Sequence, residues 1–380
     1  VMANPVISPA QNPLLPTGTW SVALRGKLTQ EAIAQIGPES SEEHKCAVME
    51  ELVERLKALR NFDLFDPRQM GSVVLKERYR EVERFYTDTS IFAFQVLQDG
   101  RIVAGTFDHE IKIWGGGADG QWGCEILSGH SFFIQCLQVL PDGTIVSGDE
   151  NGEIRIWTKG CDDQWNSELL QEQRSAVECL QVLPDGRIVS GFADNTIRIW
   201  SKVADGEWTT ESLVGHEATV ACLQALPDGR IVSGSNDETI RVWTKGADGR
   251  WSAEVLRDYD GRIICLHVLP DDTILYGTEN RAIWIRKEGT YGQWSSVALR
   301  GHNHEVKCLQ ALSDGRIVSG SCDSDIRVWT NSGDGHWNSE VIGRHDAPVN
   351  CLQVLPDGRI FSVCANGFIH IWDGEEVAGV

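Results

Sequence analysis

No window of the 380-residue sequence holds the roughly 18 successive apolar residues that a membrane-spanning helix requires, so membrane insertion is not expected. Its first eighteen residues, VMANPVISPAQNPLLPTG, lack a basic segment leading into an apolar one, so no secretory leader is expected in the sequence as given. Positive charge is scarce: 34 Lys and Arg stand against 55 Asp and Glu, a formal charge of −21. That balance opposes non-specific attraction to a phosphate backbone and excludes nucleic acid as the expected partner. The eleven cysteines contain no C-x-x-C pair, which removes the usual zinc spacing. Also missing are G-x-x-x-x-G-K-[ST], H-E-x-x-H and G-x-S-x-G, so no catalytic residue, metal site or cofactor is assigned.

What is present is a period. Cys136, Cys179, Cys222, Cys265, Cys308 and Cys351 stand 43 residues apart, one position used six times. They are read as small buried hydrophobes, and free thiols in that number fit a reducing compartment, cytoplasmic with the nucleus not excluded. Trp122, Trp165, Trp208, Trp251, Trp294 and Trp337 share the interval, and eight residues before each stands Trp114, Trp157, Trp200, Trp243, Arg286 or Trp329. Trp372 continues that second series. Each repeat reads as four short strands: VACLQAL (220–226), a Pro-Asp-Gly turn, RIVSGS (230–235), TIRVW (239–243), then a Gly-containing loop into RWSAEVL. Periods of this length belong to propellers and similar arrays, in which one unit cannot bury its own faces but stacked units can.

The stretch GHEATVACLQALPDGRIVSGSNDETIRVW (215–243) resembles the tryptophan-aspartate (WD) repeat, with Gly-His, Ser-Gly-Ser, Asp and the closing Trp in order. The resemblance implies a buried set of His, Ser or Thr, Asp and Trp in each blade. It is complete as His216, Ser233, Asp237 and Trp243 and again as His302, Ser319, Asp323 and Trp329. Asn151 and Asn366 take the Asp place in blades 2 and 7, Gln173 takes the His place in blade 3, and blade 5 is eroded at Tyr259, Tyr276, Asn280 and Arg286. The expected fold is all-β: a seven-bladed WD-repeat β-propeller over 90–380, closed by an N-terminal strand, with a small α-helical insertion. Residues 18–27, GTWSVALRGK, match the outer strand GQWSSVALRGH (292–302), so they are expected to be the outer strand of blade 7, with Trp20 closing the ring. Residues 1–17 are expected to be a flexible segment. The insertion is placed at 28–89, with helices around 29–36, 40–61 and 72–86; the last carries Leu75, Tyr79, Val82 and Tyr86 at helical spacing.

The resemblance also implies where partners bind: beside the start of each blade's first strand and just before the Asp of the buried set. Mapped onto this sequence, that face includes Phe92, Phe107, Phe133, Gln135, Glu150, Glu178, Asn236, Arg262, Glu279, Glu305 and Lys307. Three phenylalanines fall on blades 1 and 2, and Glu150, Glu178, Glu279 and Glu305 make the rim acidic. The expected function is a non-catalytic interaction scaffold or adaptor, monomeric in itself, binding a protein or peptide of basic character on the face that carries the insertion. An enzyme or small-ligand binder using the central channel, and a homo-oligomer built through the insertion helices, stay open as alternatives.

Overall fold

A computed structural model of the chain describes residues 77–376 apart from 98, 117–121, 173–174, 258–260, 290–292 and 334. These residues form seven antiparallel sheets of four strands each, and no helix occurs among them. No helix of the described residues is therefore long and apolar enough to cross a membrane. Arg78–Glu375 make one compact unit. Blade 4 is typical, running Val220–Ala225, Ile231–Ser235, Thr239–Lys245 and Trp251–Arg257 from the centre outwards. Its second strand, Ile-Val-Ser-Gly-Ser, is buried along its whole length, as a strand flanked by sheets on both sides must be.

The core lies between blades. Seven apolar clusters fill the seven junctions, and the one between blades 7 and 1 joins Phe361, Val363, Ile369 and Ile371 to Ile91, Ile102 and Trp114. Close approach at these junctions demands glycine: a Cβ on Gly234 would lie 2.5 Å from Cγ2 of Ile263 in the next blade.

Three repeated polar links sew the ring. On the inner strands, Gln95 Oε1 accepts the Val139 N–H at 2.8 Å, and Gln138, Gln224, Gln310 and Gln353 do the same for the following blade. Four cysteines of the 43-residue series, Cys136, Cys179, Cys265 and Cys351, direct their thiols at a carbonyl of the neighbouring blade, as Cys136 does to Val177 at 3.4 Å, while Cys222 and Cys308 bond a glycine carbonyl of their own blade. Burial pushes these thiols up, to about 12 in Cys265 and Cys351, so they are unreactive packing groups, and all ten cysteines among the described residues are free. On the outer strands, Trp165 Nε1 donates to Glu125 Oε2 at 2.9 Å, while the Lys159 ammonium lies 5.7 Å from the Trp165 ring centre.

The ring is closed by an N-terminal strand, but not by the stretch expected. Glu77–Tyr86 pairs with Phe368–Glu376 and occupies the outer place of blade 7. The helical reading of 72–86 therefore fails over 77–86, and the propeller begins at 77 rather than 90. Tyr79 and Phe85 are half-buried, whereas Val82 and Tyr86 of the supposed helical stripe are exposed. Tyr79 joins the blade 6–7 core with Trp372 and Ile342, and Phe85 meets Trp114 edge-on at 6.3 Å. The open third strand of blade 7 offers unpaired backbone groups along its length, and only an extended segment satisfies them. Residues 1–76, with Trp20, the 18–27 segment and the helices expected before residue 77, lie outside the described residues, as do Gln173 and Tyr259.

Candidate functional site

A β-bulge shapes one end of the ring. In every first strand the register slips by one residue, as between Val220 and Cys222, leaving Ala221 without an opposite number. The same slip singles out Phe92, Gln135, Glu178, Ile264, Lys307 and Asn350. Bulges re-aim side chains, and here each blade turns one residue out of the alternation that buries its neighbours. Backbone bonds hold the companion positions beside them: the Phe107 N–H donates to the Ser90 carbonyl at 2.9 Å, Glu150 to Phe133 at 3.2 Å and Glu279 to Arg262 at 3.1 Å. The residues expected to form a binding face are thus positioned by backbone shared among blades, whose side chains differ.

The three phenylalanines meet. Phe107 stacks on Phe133 with centroids 5.5 Å apart, and Phe92 lies 5.3 Å from Phe133 and 6.4 Å from Phe107. Phe107 remains 53% exposed, a large apolar surface facing solvent. A second aromatic pair was not singled out in the sequence: Phe132, 45% exposed, stacks on His109 at 6.1 Å. The doubled Phe in SFF (131–133) was the signal for it.

The acidic rim is less uniform than its composition implies. Glu305 bonds Lys307 at 2.8 Å, and that contact holds its carboxyl below the usual range. Glu279 faces Arg262 at 3.6 Å. Glu150 and Glu178 are different: burial, and then the charge of Glu150, raise the Glu178 carboxyl. The two carboxylates lie close enough for the Glu150 charge to act on Glu178, on blades 2 and 3 next to the phenylalanines of blades 1 and 2. Gln135 is half-buried on the blade 2 bulge between them, and Asn236 is half-buried on blade 4.

The buried polar sets are built as expected in blades 4 and 6. His216 Nε2 meets Ser233 Oγ at 2.8 Å and its Nδ1 meets Asp237 at 2.9 Å, while Trp243 Nε1 donates to Ser233 at 2.9 Å. His302, Ser319, Asp323 and Trp329 repeat this at 2.8, 3.0 and 2.8 Å. The Ser–His–Asp order is not a nucleophile's. Ser233 is fully buried with its oxygen between imidazole and indole, where no substrate carbonyl reaches it.

Blades 2 and 7 depart from this in opposite ways. In blade 2, where Asn151 stands at the Asp place, His130 Nδ1 takes its carboxylate from Asp149, two residues earlier at the end of the second strand, at 3.0 Å. In blade 7 the place of Asp149 is held by Cys364 and that of Asp237 by Asn366. His345 Nε2 still meets Ser362 at 2.7 Å, but its Nδ1, buried, has no hydrogen-bond partner. Burial, with His370 beside it, pushes the His345 imidazole down to about 3.

Comparison with known proteins agrees with this geometry. The family model described as WD domain, G-beta repeat matches residues 124–158, 167–201, 208–244, 294–330 and 339–373. The stretch it passes over between 244 and 294 holds the blade 5 set, where Tyr276 replaces serine. The fold is similar to the WD40 β-propeller domain of Doa1, with a TM-score of 0.66 and 18% identity over 80% of this chain and 100% of that one. Solved chains that match number 1272, so the likeness fixes an architecture and selects no partner. Among curated proteins no match is found.

Proposed function

The chain belongs to the WD40-repeat family of β-propellers, and from that premise we propose that it is a non-catalytic scaffold binding a protein segment on the bulge-bearing end of blades 1 to 3. Propellers of this family are typically protein-interaction scaffolds. The observation that carries the finer reading is the contact of Phe92, Phe107 and Phe133 beside Glu150 and Glu178. Rigid aromatics supply apolar contact at small entropic cost, and neighbouring carboxylates select a cation. The ligand is therefore a peptide with an apolar or aromatic anchor next to Lys or Arg.

Selection from a displayed random peptide library tests this. Enrichment of aromatic-plus-basic sequences on the intact protein, lost on Phe107→Ser and weakened on Glu150→Gln, is the expected result. Enriched peptides that bind both variants unchanged would place the binding site elsewhere.

A further inference from the structure

We propose that blade 7 contains a site for a zinc-type divalent transition metal, formed by His345, Cys364 and His370 with Glu81 of the closing strand beside them. One ligand atom from each of the first three lies within 4.8 Å of the other two, and all three residues are buried. His345 is 3%, Cys364 1% and His370 6% exposed. Tetrahedral zinc with bonds of about 2.0–2.3 Å spaces its ligand atoms by roughly 3.3–3.8 Å, so small side-chain rotations close the set. Two imidazoles and a thiol are the donors such an ion favours over the hard cations calcium and magnesium.

The second observation is the orphaned nitrogen. Elsewhere the imidazole of the buried set gives Nδ1 to a carboxylate: Asp149 in blade 2, Asp237 in blade 4, Asp323 in blade 6. In blade 7 both carboxylate places are filled otherwise, by Cys364 and Asn366, and His345 Nδ1 is buried without a partner. A buried polar atom left unmet in one copy of a repeated network calls for an explanation. His370 stands where blades 4 and 6 place Arg241 and Arg327, so a cation has been exchanged for a ligand at the same point. The other His-and-acid group, His130 with Asp149 and Glu153, carries no such signal. Both of its imidazole nitrogens are engaged, and Asp149 also accepts the Glu153 N–H at 2.9 Å.

Hydrogen bonding is consistent with ligation. With Nε2–H donated to Ser362 Oγ, which also accepts from Trp372 Nε1 at 2.7 Å, His345 keeps a lone pair on Nδ1. Glu81 Oε2 meets His370 Nδ1 at 3.0 Å, the carboxylate–imidazole pairing that orients metal-binding histidines and raises their basicity. The Cys364 thiol bonds Asn366 Oδ1 at 2.7 Å. On coordination the sulfur–metal bond forms as the S–H bond breaks, the proton leaves to solvent, and the Asn366 amide turns its NH2 toward the thiolate. Glu81 is about one-third exposed and marks the way in from solvent.

The test uses the intact protein, stripped with chelator and titrated with Zn²⁺, then Co²⁺. The control is His370→Arg, which restores the residue that blades 4 and 6 hold at that place as Arg241 and Arg327 while removing one imidazole ligand and adding a positive charge. The intact protein should retain one Zn²⁺ more per chain than this variant, melt at a higher temperature with Zn²⁺, and show thiolate-to-cobalt charge-transfer absorption that the variant lacks. Glu81→Gln should weaken Zn²⁺ binding about 10–100-fold. Should His370→Arg fail to fold, Cys364→Ser serves the same comparison. Equal Zn²⁺ binding by intact protein and folded variant, or no cobalt–thiolate absorption in the folded intact protein, would overturn the proposal.

Discussion

Gln353 and Val96 lie 257 residues apart in sequence and bond twice: Gln353 Oε1 accepts the Val96 N–H at 2.6 Å, and its Nε2 donates to the Val96 carbonyl at 3.1 Å. The pair joins the inner strand of blade 7 to that of blade 1. Gln224 makes the same double bond with Val268, at 2.8 and 3.2 Å, between blades 4 and 5. Gln353→Ala strands both backbone groups at the seam, for an expected loss of about 1–3 kcal/mol. Equilibrium urea unfolding measures it, and an unchanged midpoint would show that water replaces the amide at no cost.

Closure by Glu77–Tyr86 makes a sharper prediction. Tyr79→Ala removes a half-buried ring from the core shared with Trp372 and from beneath the Arg316 guanidinium, 5.8 Å away. About 2 kcal/mol should be lost, less than for a fully buried aromatic. Deleting 77–86 from the full chain should leave blade 7 with an open edge and a protein that aggregates in light scattering. If that deletion yields a stable monomer, another segment closes the ring.

Why the closing strand was misread is visible in its residues. Tyr79 stands 43 residues before Trp122, so the period extended to it, but with Tyr in place of Trp and charges on either side. Tyr79, Val82 and Tyr86 also fit a helical stripe; Tyr79 and Phe85 fit alternation equally well. Local pattern could not separate the two, and the unpaired edge of blade 7 decided. Blade number, strand order and the sets around His216 and His302 were legible because every blade solves one packing problem with one set of residues. The meeting of Phe92, Phe107 and Phe133 followed from their repeat positions. His345, Cys364 and His370 fall in three different slots, and only the folded sheet puts them together.

Acid should unfold the protein in two stages through blades 4 and 6. Burial lowers the His216 imidazole despite Asp237. Burial raises the Asp237 carboxyl, but the Thr239 hydroxyl, the Glu217 N–H and His216 outweigh it and bring it to about 2. Both groups bind protons more readily when unfolded, so their stabilisation is full above the unfolded values. The histidine part fades as pH falls below about 6.5, and the aspartate part, at most about 2 kcal/mol, as pH falls from about 4 to 2. Asp237→Asn should reduce the lower stage in urea midpoints measured against pH, leaving the part that Asp323 of blade 6 carries. A variant keeping it whole would assign that stage to other carboxylates.

The phenylalanine patch should be dispensable for folding. Phe107 is 53% exposed, so Phe107→Ser should change stability by no more than about 0.5 kcal/mol. A large fall in melting temperature would mean that the ring is covered in the folded chain and is not free to meet a partner.

The strand that finishes the propeller is made early and used last. Thr87, just after it, donates to the Gly367 carbonyl across 280 residues of chain. At ordinary elongation rates of about 5–20 residues per second, the early strand waits roughly 15–60 s for its partner to leave the ribosome. Each intervening blade pairs with its own recent sequence and needs no such delay. Synthesis therefore yields an open arc of finished blades whose final step is a single long-range capture, and the half-minute before that capture is when the nascent chain is most exposed to misassociation.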